Sequence, residues 1–204
     1  MKLAALHLFL ELFTLASFVA TGFWARRRWG RDGVWLYGFL FLLGVARENF
    51  VVLERVLYGY ADLALMLGAA PLIGAVIWGF SIVVAMAATE AIRGAPFALD
   101  RPPRAAELAL VALAMIALAG FYEPFLAAVE MARWQPGTAT VAEVPKIALV
   151  GYPSFALLSL WAGGSILGRV RRAGARVAAG LLVGIPLAVA HAWSLQRLKE
   201  ALGW

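Results

Sequence analysis

The chain contains no cysteine and only two histidines in 204 residues. Disulfide scaffolding, cysteine zinc sites, iron–sulfur ligation and thiol chemistry are thereby excluded. Charge is scarce too, at 15% of residues, where a soluble domain carries about 25%. The sequence also lacks a phosphate loop, a nucleophile elbow, a metalloprotease helix and a kinase signature. Low-complexity tracts and long linkers are missing, which makes one domain over 1–204 the simplest reading. Hydrophobic residues are abundant instead, at 63%. That composition excludes disorder, and a water-soluble core of this size cannot hide so much apolar surface.

The formal net charge is +6, and its placement decides what it means. Arginines gather in three short clusters: Arg26, Arg27, Arg28 and Arg31; Arg93, Arg101 and Arg104; Arg169, Arg171, Arg172 and Arg176. Between them run apolar stretches of the roughly 20 residues that a spanning helix needs. The pattern predicts an all-α, polytopic helical membrane bundle. Its six spans lie near 3–25, 34–57, 69–92, 105–131, 146–168 and 176–197. The clusters then follow spans one, three and five, all on one side. Arginine-rich short loops stay cytoplasmic, so both termini are expected outside, in a bacterial inner (plasma) membrane. The basic balance reflects topology and no nucleic-acid partner is expected. Residues 1–25 read as a retained span: the run is long, carries Glu11, lacks a small-x-small cleavage site and ends in arginines.

Ionisable residues within a span are costly and face a cavity or one another. Here they favour one depth. His7 and Glu11 of span one fall in the outer half. So do Arg47, Glu48, Asn49, Glu54, Arg55 and Tyr58 of span two, with Tyr60 just beyond. Tyr122, Glu123 and Glu130 of span four join them, as do Tyr152 and Ser154 of span five and His191 of span six. The inner halves are almost wholly apolar, while Glu90 and Glu107 are expected to be solvated near the inner surface. A polar cavity in the outer half follows. Pro124, Pro153 and Pro186 each free a backbone carbonyl within a span. Arg47 with Glu54, and Glu48 with Arg55, are spaced to align along a helix face, where they would neutralise each other or a neighbouring helix.

Glu123 stands out because no basic residue lies within a helical turn of it. A carboxyl buried without a cation would carry its proton, the property of a general acid. A faint repeat is visible as well. Glu48 precedes Pro71 and Trp78 much as Glu123 precedes Pro145 and Tyr152, which suggests two similar helical hairpins in parallel orientation. A bis-histidine haem on His7 and His191 is disfavoured because Leu6 and Leu8 flank His7 where small residues would be expected, and a zinc site on His7, Glu11 and His191 matches no established spacing. No metal or cofactor is expected.

The motif order Gly44-Val-Ala-Arg-Glu48, Leu57-Tyr-Gly-Tyr60, Leu67-Gly-Ala-Ala-Pro71 and Trp78 is followed by Glu123-Pro124, Arg133-Trp134, Glu143-Val-Pro145 and Gly151-Tyr152. Over roughly residues 40–160 this resembles the membrane carotenoid-biosynthesis proteins, which include carotenoid hydratases. Glu123 stands where that family usually has aspartate, and Tyr152 where it has tryptophan. The resemblance implies a hydratase-like lyase acting on a long apolar isoprenoid, without cofactor. Acid hydration of a terminal alkene needs a protonated carboxyl, a stabilised tertiary cation and one water. Glu123 is the candidate acid, and Glu48 or Glu11 would hold water or counter the charge. Tyr122, Tyr58, Tyr60, Trp78 and Tyr152 offer π faces, and Arg47, Arg55 and His191 complete the candidate substrate pocket. Isomerisation or cyclisation would suit the same groups. A non-enzymatic pigment-, quinone- or lipid-binding subunit of a membrane complex, and a small transporter, stay open beside the enzyme. So does association with the lipid bilayer as a homo-oligomer or with a complex partner.

Overall fold

The computed structural model describes residues 2–204. Helices dominate it. Helix α1 (Lys2–Leu53) is followed by short strands β1 (Tyr58–Tyr60), β2 (Met66–Leu67) and β3 (Ala70–Pro71), then by α2 (Leu72–Arg93) and α3 (Ala105–Ala128). Strands β4 (Ala132–Trp134), β5 (Thr140–Val141) and β6 (Val144–Pro145) precede α4 (Lys146–Arg169) and α5 (Ala173–Leu202). Five helices among the described residues are long and apolar enough to cross a bilayer. The prolines at 124, 153 and 186 sit inside α3, α4 and α5 without ending them.

Helix α1 is two limbs, not one rod. Gly30 has φ 63° and ψ −146°, a conformation almost confined to glycine because a Cβ would clash there. The chain folds back at that residue. Phe18 consequently packs on Tyr37 and Phe41, at ring separations of 5.2 and 4.7 Å. Where the expected spans 3–25 and 34–57 leave a connection over 26–33, a single residue turns the helix. The second limb stops at Leu53, because Arg55 and Leu57 adopt positive φ values of 53° and 62°.

The two central helices are α2 and α4, each buried over 67% of its apolar window, while α3 and α5 are buried over 22% and 17%. Large apolar side chains such as Phe9, Phe23, Phe121 and Leu182 point outward. In water such a girdle would be an aggregation surface, and against acyl chains it is the expected exterior. The main core gathers Leu40, Leu43, Ile82, Met86, Met115, Phe155 and Leu160.

The faint sequence repeat is a structural duplication. The second limb of α1, β1–β3 and α2 form one unit, and α3, β4–β6 and α4 form the other. Each unit ends its first helix alike: Val56 N–H bonds to Val51 O and Met131 N–H to Leu126 O. Each unit opens its second helix alike: Leu72 N–H bonds to Leu65 O and Lys146 N–H to Ala139 O. Antiparallel pairing of β1 with β4 joins the units, with Tyr58 opposite Trp134, Gly59 opposite Arg133 and Tyr60 opposite Ala132. Two flanking bonds extend it, Ala61 N–H to Met131 O and Gln135 N–H to Leu57 O. Exchanging the units maps this ribbon onto itself, so a pseudo-twofold axis passes through Gly59 and Arg133. The ribbon also brings both strand-bearing connections to one end of the bundle. The Gly30 hinge and the arginine-rich connections lie at the other.

That arginine-rich end is tied inward. Glu90 accepts Arg28 Nε and Trp29 Nε1, each at 2.8 Å, and Phe97 N–H at 2.5 Å. Glu107, fully buried, accepts Arg93 Nη1 at 2.6 Å and Arg101 Nη1 and Nη2 at 2.9 Å. Both were expected to be solvated. They are instead the acceptors on which three separate arginine-bearing segments converge.

Candidate functional site

The acidic residues of the two repeats meet beside the ribbon. Glu48, on the second limb of α1, has no exposed surface. Its Oε1 accepts Arg47 Nη1 and Trp78 Nε1, both at 2.5 Å, and the Tyr58 hydroxyl at 2.8 Å. Its Oε2 accepts the Tyr60 hydroxyl at 2.7 Å. Tyr58 in turn accepts from Arg47 at 2.6 Å. Burial pushes the Tyr58 and Tyr60 hydroxyls well above the usual phenol range, and the nearby carboxylate adds to the shift. Both phenols therefore stay protonated as donors. Arg47 also lies 4.4 Å from the Trp78 ring centroid. The expected pairings of Arg47 with Glu54 and of Glu48 with Arg55 do not form. Arg47 turns to its neighbour Glu48, and the helix ends before Glu54.

Glu123, on α3, is the counterpart of Glu48 and is held differently. Its Oε2 accepts Trp134 Nε1 at 2.6 Å, and Tyr152 lies beside it. Trp134 corresponds to Tyr60 and Tyr152 to Trp78, so each carboxyl has an aromatic partner from its own ribbon strand and one from its own second helix, and Glu48 has Tyr58 as a further donor. The decisive difference is the residue before it. Arg47 has Tyr122 as its counterpart, and Glu123 joins none of the ion pairs among the described residues. The axis-related rings of Trp78 and Tyr152 also touch, 4.8 Å apart, and the cross-strand partners Tyr58 and Trp134 are 4.9 Å apart.

Between the two clusters lies a cavity of about 20 Å³, lined by Tyr58, Tyr60, Trp78, Glu123, Trp134 and Tyr152, with Ile77 and Leu126 on one side. One water needs about 10–15 Å³ of such space and a few polar partners. Ile77 and Leu126 also line a second, largely apolar hollow of about 310 Å³ between the first limb of α1, α2 and α3. Tyr122 faces this hollow rather than the small cavity. Phe80 also lines a separate apolar groove of about 340 Å³ near Trp24, and the hollow itself reaches the surface. Phe13 and Phe121, which line the 310 Å³ hollow, are 62% and 65% exposed, so this hollow is an apolar groove that opens sideways on the apolar exterior.

Comparison with family models, with curated proteins and with solved structures finds no match. The geometry alone sorts the candidate residues.

Glu48, Glu123, Tyr58, Tyr60, Trp78, Tyr152 and Arg47 converge, and Tyr122 borders them. Glu11 does not join them. Its carboxylate accepts the N–H groups of Ala64 and Leu65 at 3.1 and 2.7 Å, which fastens the β1–β2 connection to the first limb of α1. His7 is used in the same way, with Nε2 2.7 Å from Val129 O. Arg55 is exposed, and its carbonyl accepts Gln135 Nε2 at 2.7 Å. His191 lies on the far side of α4, 2.8 Å from Ser154 Oγ. No group of three His, Asp or Glu side chains able to hold a metal occurs among the described residues. Trp134 is the residue that sequence reasoning passed over as a site member. Its place in the repeat, equivalent to that of Tyr60, was the available signal.

Proposed function

We propose that the chain is a membrane-embedded isoprenoid-modifying enzyme that hydrates a carbon–carbon double bond by acid catalysis. One observation carries this reading. Glu123, a buried carboxyl with one indole donor and no paired cation, faces a cavity with room for one water beside a lipid-accessible apolar groove. Its sequence resemblance to carotenoid hydratases points to the same chemistry.

In the proposed reaction the apolar chain enters sideways, past Phe13 and Phe121. Each methylene buried in the groove contributes about 0.8 kcal/mol. The terminal trisubstituted alkene passes between Ile77 and Leu126. Glu123 donates its proton to the less substituted alkene carbon and leaves a tertiary carbocation on its neighbour. The rings of Trp134, Tyr152 and Tyr60 stabilise that cation through their π faces. The Trp78 ring is already taken by Arg47. The water in the cavity adds to the cation, and its surplus proton returns to the Glu123 carboxylate. The balance is alkene plus water to tertiary alcohol, with the acid regenerated and no cofactor required. Loss of a neighbouring proton from the same cation, in place of water addition, would give isomerisation.

Glu48 has another part. Its oxygens are saturated by four donor residues and its charge is met by Arg47, so it serves as the fixed post that orients Tyr58 and Tyr60. Glu11 anchors a loop and takes no part in the chemistry.

The proposal includes the setting: a bacterial inner membrane crossed six times, the limbs of α1 counting separately, with the arginine-rich end cytoplasmic and both termini outside. Expression of wild type and Glu123→Gln at equal membrane levels, followed by isoprenoid extraction, tests the function. Wild type should produce a species heavier than its precursor by one water, and the variant should not. A pigment-holding subunit would leave the extracts of both unchanged in composition.

A further inference from the structure

The end of the bundle opposite the carboxylates holds a separate hollow. A pocket of about 1000 Å³ opens there between the Gly30 hinge and the start of α5. Arg26 and Arg31 of α1 line it, with Arg171 of the α4–α5 connection and Arg176 of α5. A single carboxylate answers them: Asp32 Oδ1 accepts Arg176 Nη1 at 2.6 Å. Arg26, Arg31 and Arg171 form no ion pair among the described residues. Other arginines at this end do find partners, Arg28 on Glu90 and Arg93 and Arg101 on Glu107. The pocket thus gathers three uncompensated positive charges from two chain segments far apart in sequence. Guanidinium groups match phosphate oxygens in bidentate geometry. The wall facing the apolar exterior is Val34 and Trp35, the latter stacked on Phe39 at 5.2 Å. Indoles favour the headgroup depth of a bilayer.

We propose that this pocket binds the phosphate of an anionic phospholipid from the adjacent leaflet. The basic lining selects negative charge, and the apolar wall favours a phosphate that carries acyl chains over a free one. The site is independent of the chemistry assigned to Glu123.

The test uses the whole protein in detergent micelles, with dioleoylphosphatidylglycerol, dioleoylphosphatidylcholine or inorganic phosphate added separately. Native mass spectrometry counts retained lipid, and thermal unfolding reports stabilisation. Wild type should retain phosphatidylglycerol at least about tenfold better than phosphatidylcholine, and only phosphatidylglycerol should raise the unfolding temperature. The Arg31→Gln/Arg171→Gln variant should lose that preference while keeping its helical circular dichroism. Equal retention of both lipids by wild type overturns the proposal. So does an undiminished preference in the variant, or equal stabilisation by inorganic phosphate. If the double variant does not fold, the wild-type preference alone decides, and Arg26→Gln supplies the weakened site.

Discussion

Arg47 and Tyr122 occupy equivalent places in the two repeats, and that difference, with Tyr58 beside Glu48 where Ala132 stands in the other repeat, separates the two carboxylates. Glu48 becomes half of a buried ion pair, and Glu123 is left with neutral aromatic donors. Breaking a buried pair by removing one partner costs about 3–5 kcal/mol, because a bare charge remains. Arg47→Met should therefore lower the unfolding temperature sharply, and Arg47→Met/Glu48→Leu should restore much of the loss. Scanning calorimetry in detergent checks both. Trp134→Phe removes the indole donor to Glu123 and keeps a ring. A hydrogen bond contributes about 1 kcal/mol, so turnover should fall roughly fivefold with the fold retained. Steady-state kinetics against the isoprenoid decides it. At this scale the sequence is partly transparent. The isolation of Glu123 from basic neighbours is visible in the chain itself. The pairing of Arg47 with Glu48 is not, because it depends on where the helix stops and on how Trp78 and Tyr58 close around the carboxylate. The function of Glu11 is equally hidden, since its partners are backbone N–H groups of a distant loop.

The helices themselves are legible from apolar runs and loop arginines. Their terminations are less so. The expected spans leave residues 26–33 between them, yet helix runs through that stretch and Gly30 alone makes the reversal. Gly30→Ala places a Cβ at φ 63°, a strain of about 1–3 kcal/mol. It should reduce thermal stability and leave turnover per folded molecule unchanged. The short strands are illegible from periodicity because two- and three-residue ribbons have almost none. They matter nevertheless, since β1 and β4 deliver Tyr58, Tyr60 and Trp134 to the carboxylates. Glu11→Ala should loosen the β1–β2 connection by freeing the Ala64 and Leu65 N–H groups. Hydrogen exchange at those two amides should rise in the variant, while Glu123-dependent turnover persists in the folded fraction.

As a whole, the molecule is a duplicated hairpin unit flanked by the first limb of α1 and by α5. The faint repeat in the sequence is spread over short motifs, but the backbone hydrogen bonds that end the first helix and open the second coincide in the two units. Polar chemistry is confined to the ribbon end, and the opposite end is pinned by Glu90 and Glu107. The assigned orientation predicts that an Asp62→Cys variant reacts with an impermeant maleimide in intact cells and that Arg172→Cys does not. The native chain has no cysteine to confuse the labelling. Reversed labelling would invert the topology. The most direct test of the whole account is incubation of purified protein with a polyene bearing a terminal trisubstituted alkene in heavy-oxygen water. Wild type should yield a tertiary alcohol carrying the heavy oxygen, and Glu123→Gln should yield none. An alcohol formed equally by both proteins, or none formed by wild type, contradicts the role given to Glu123.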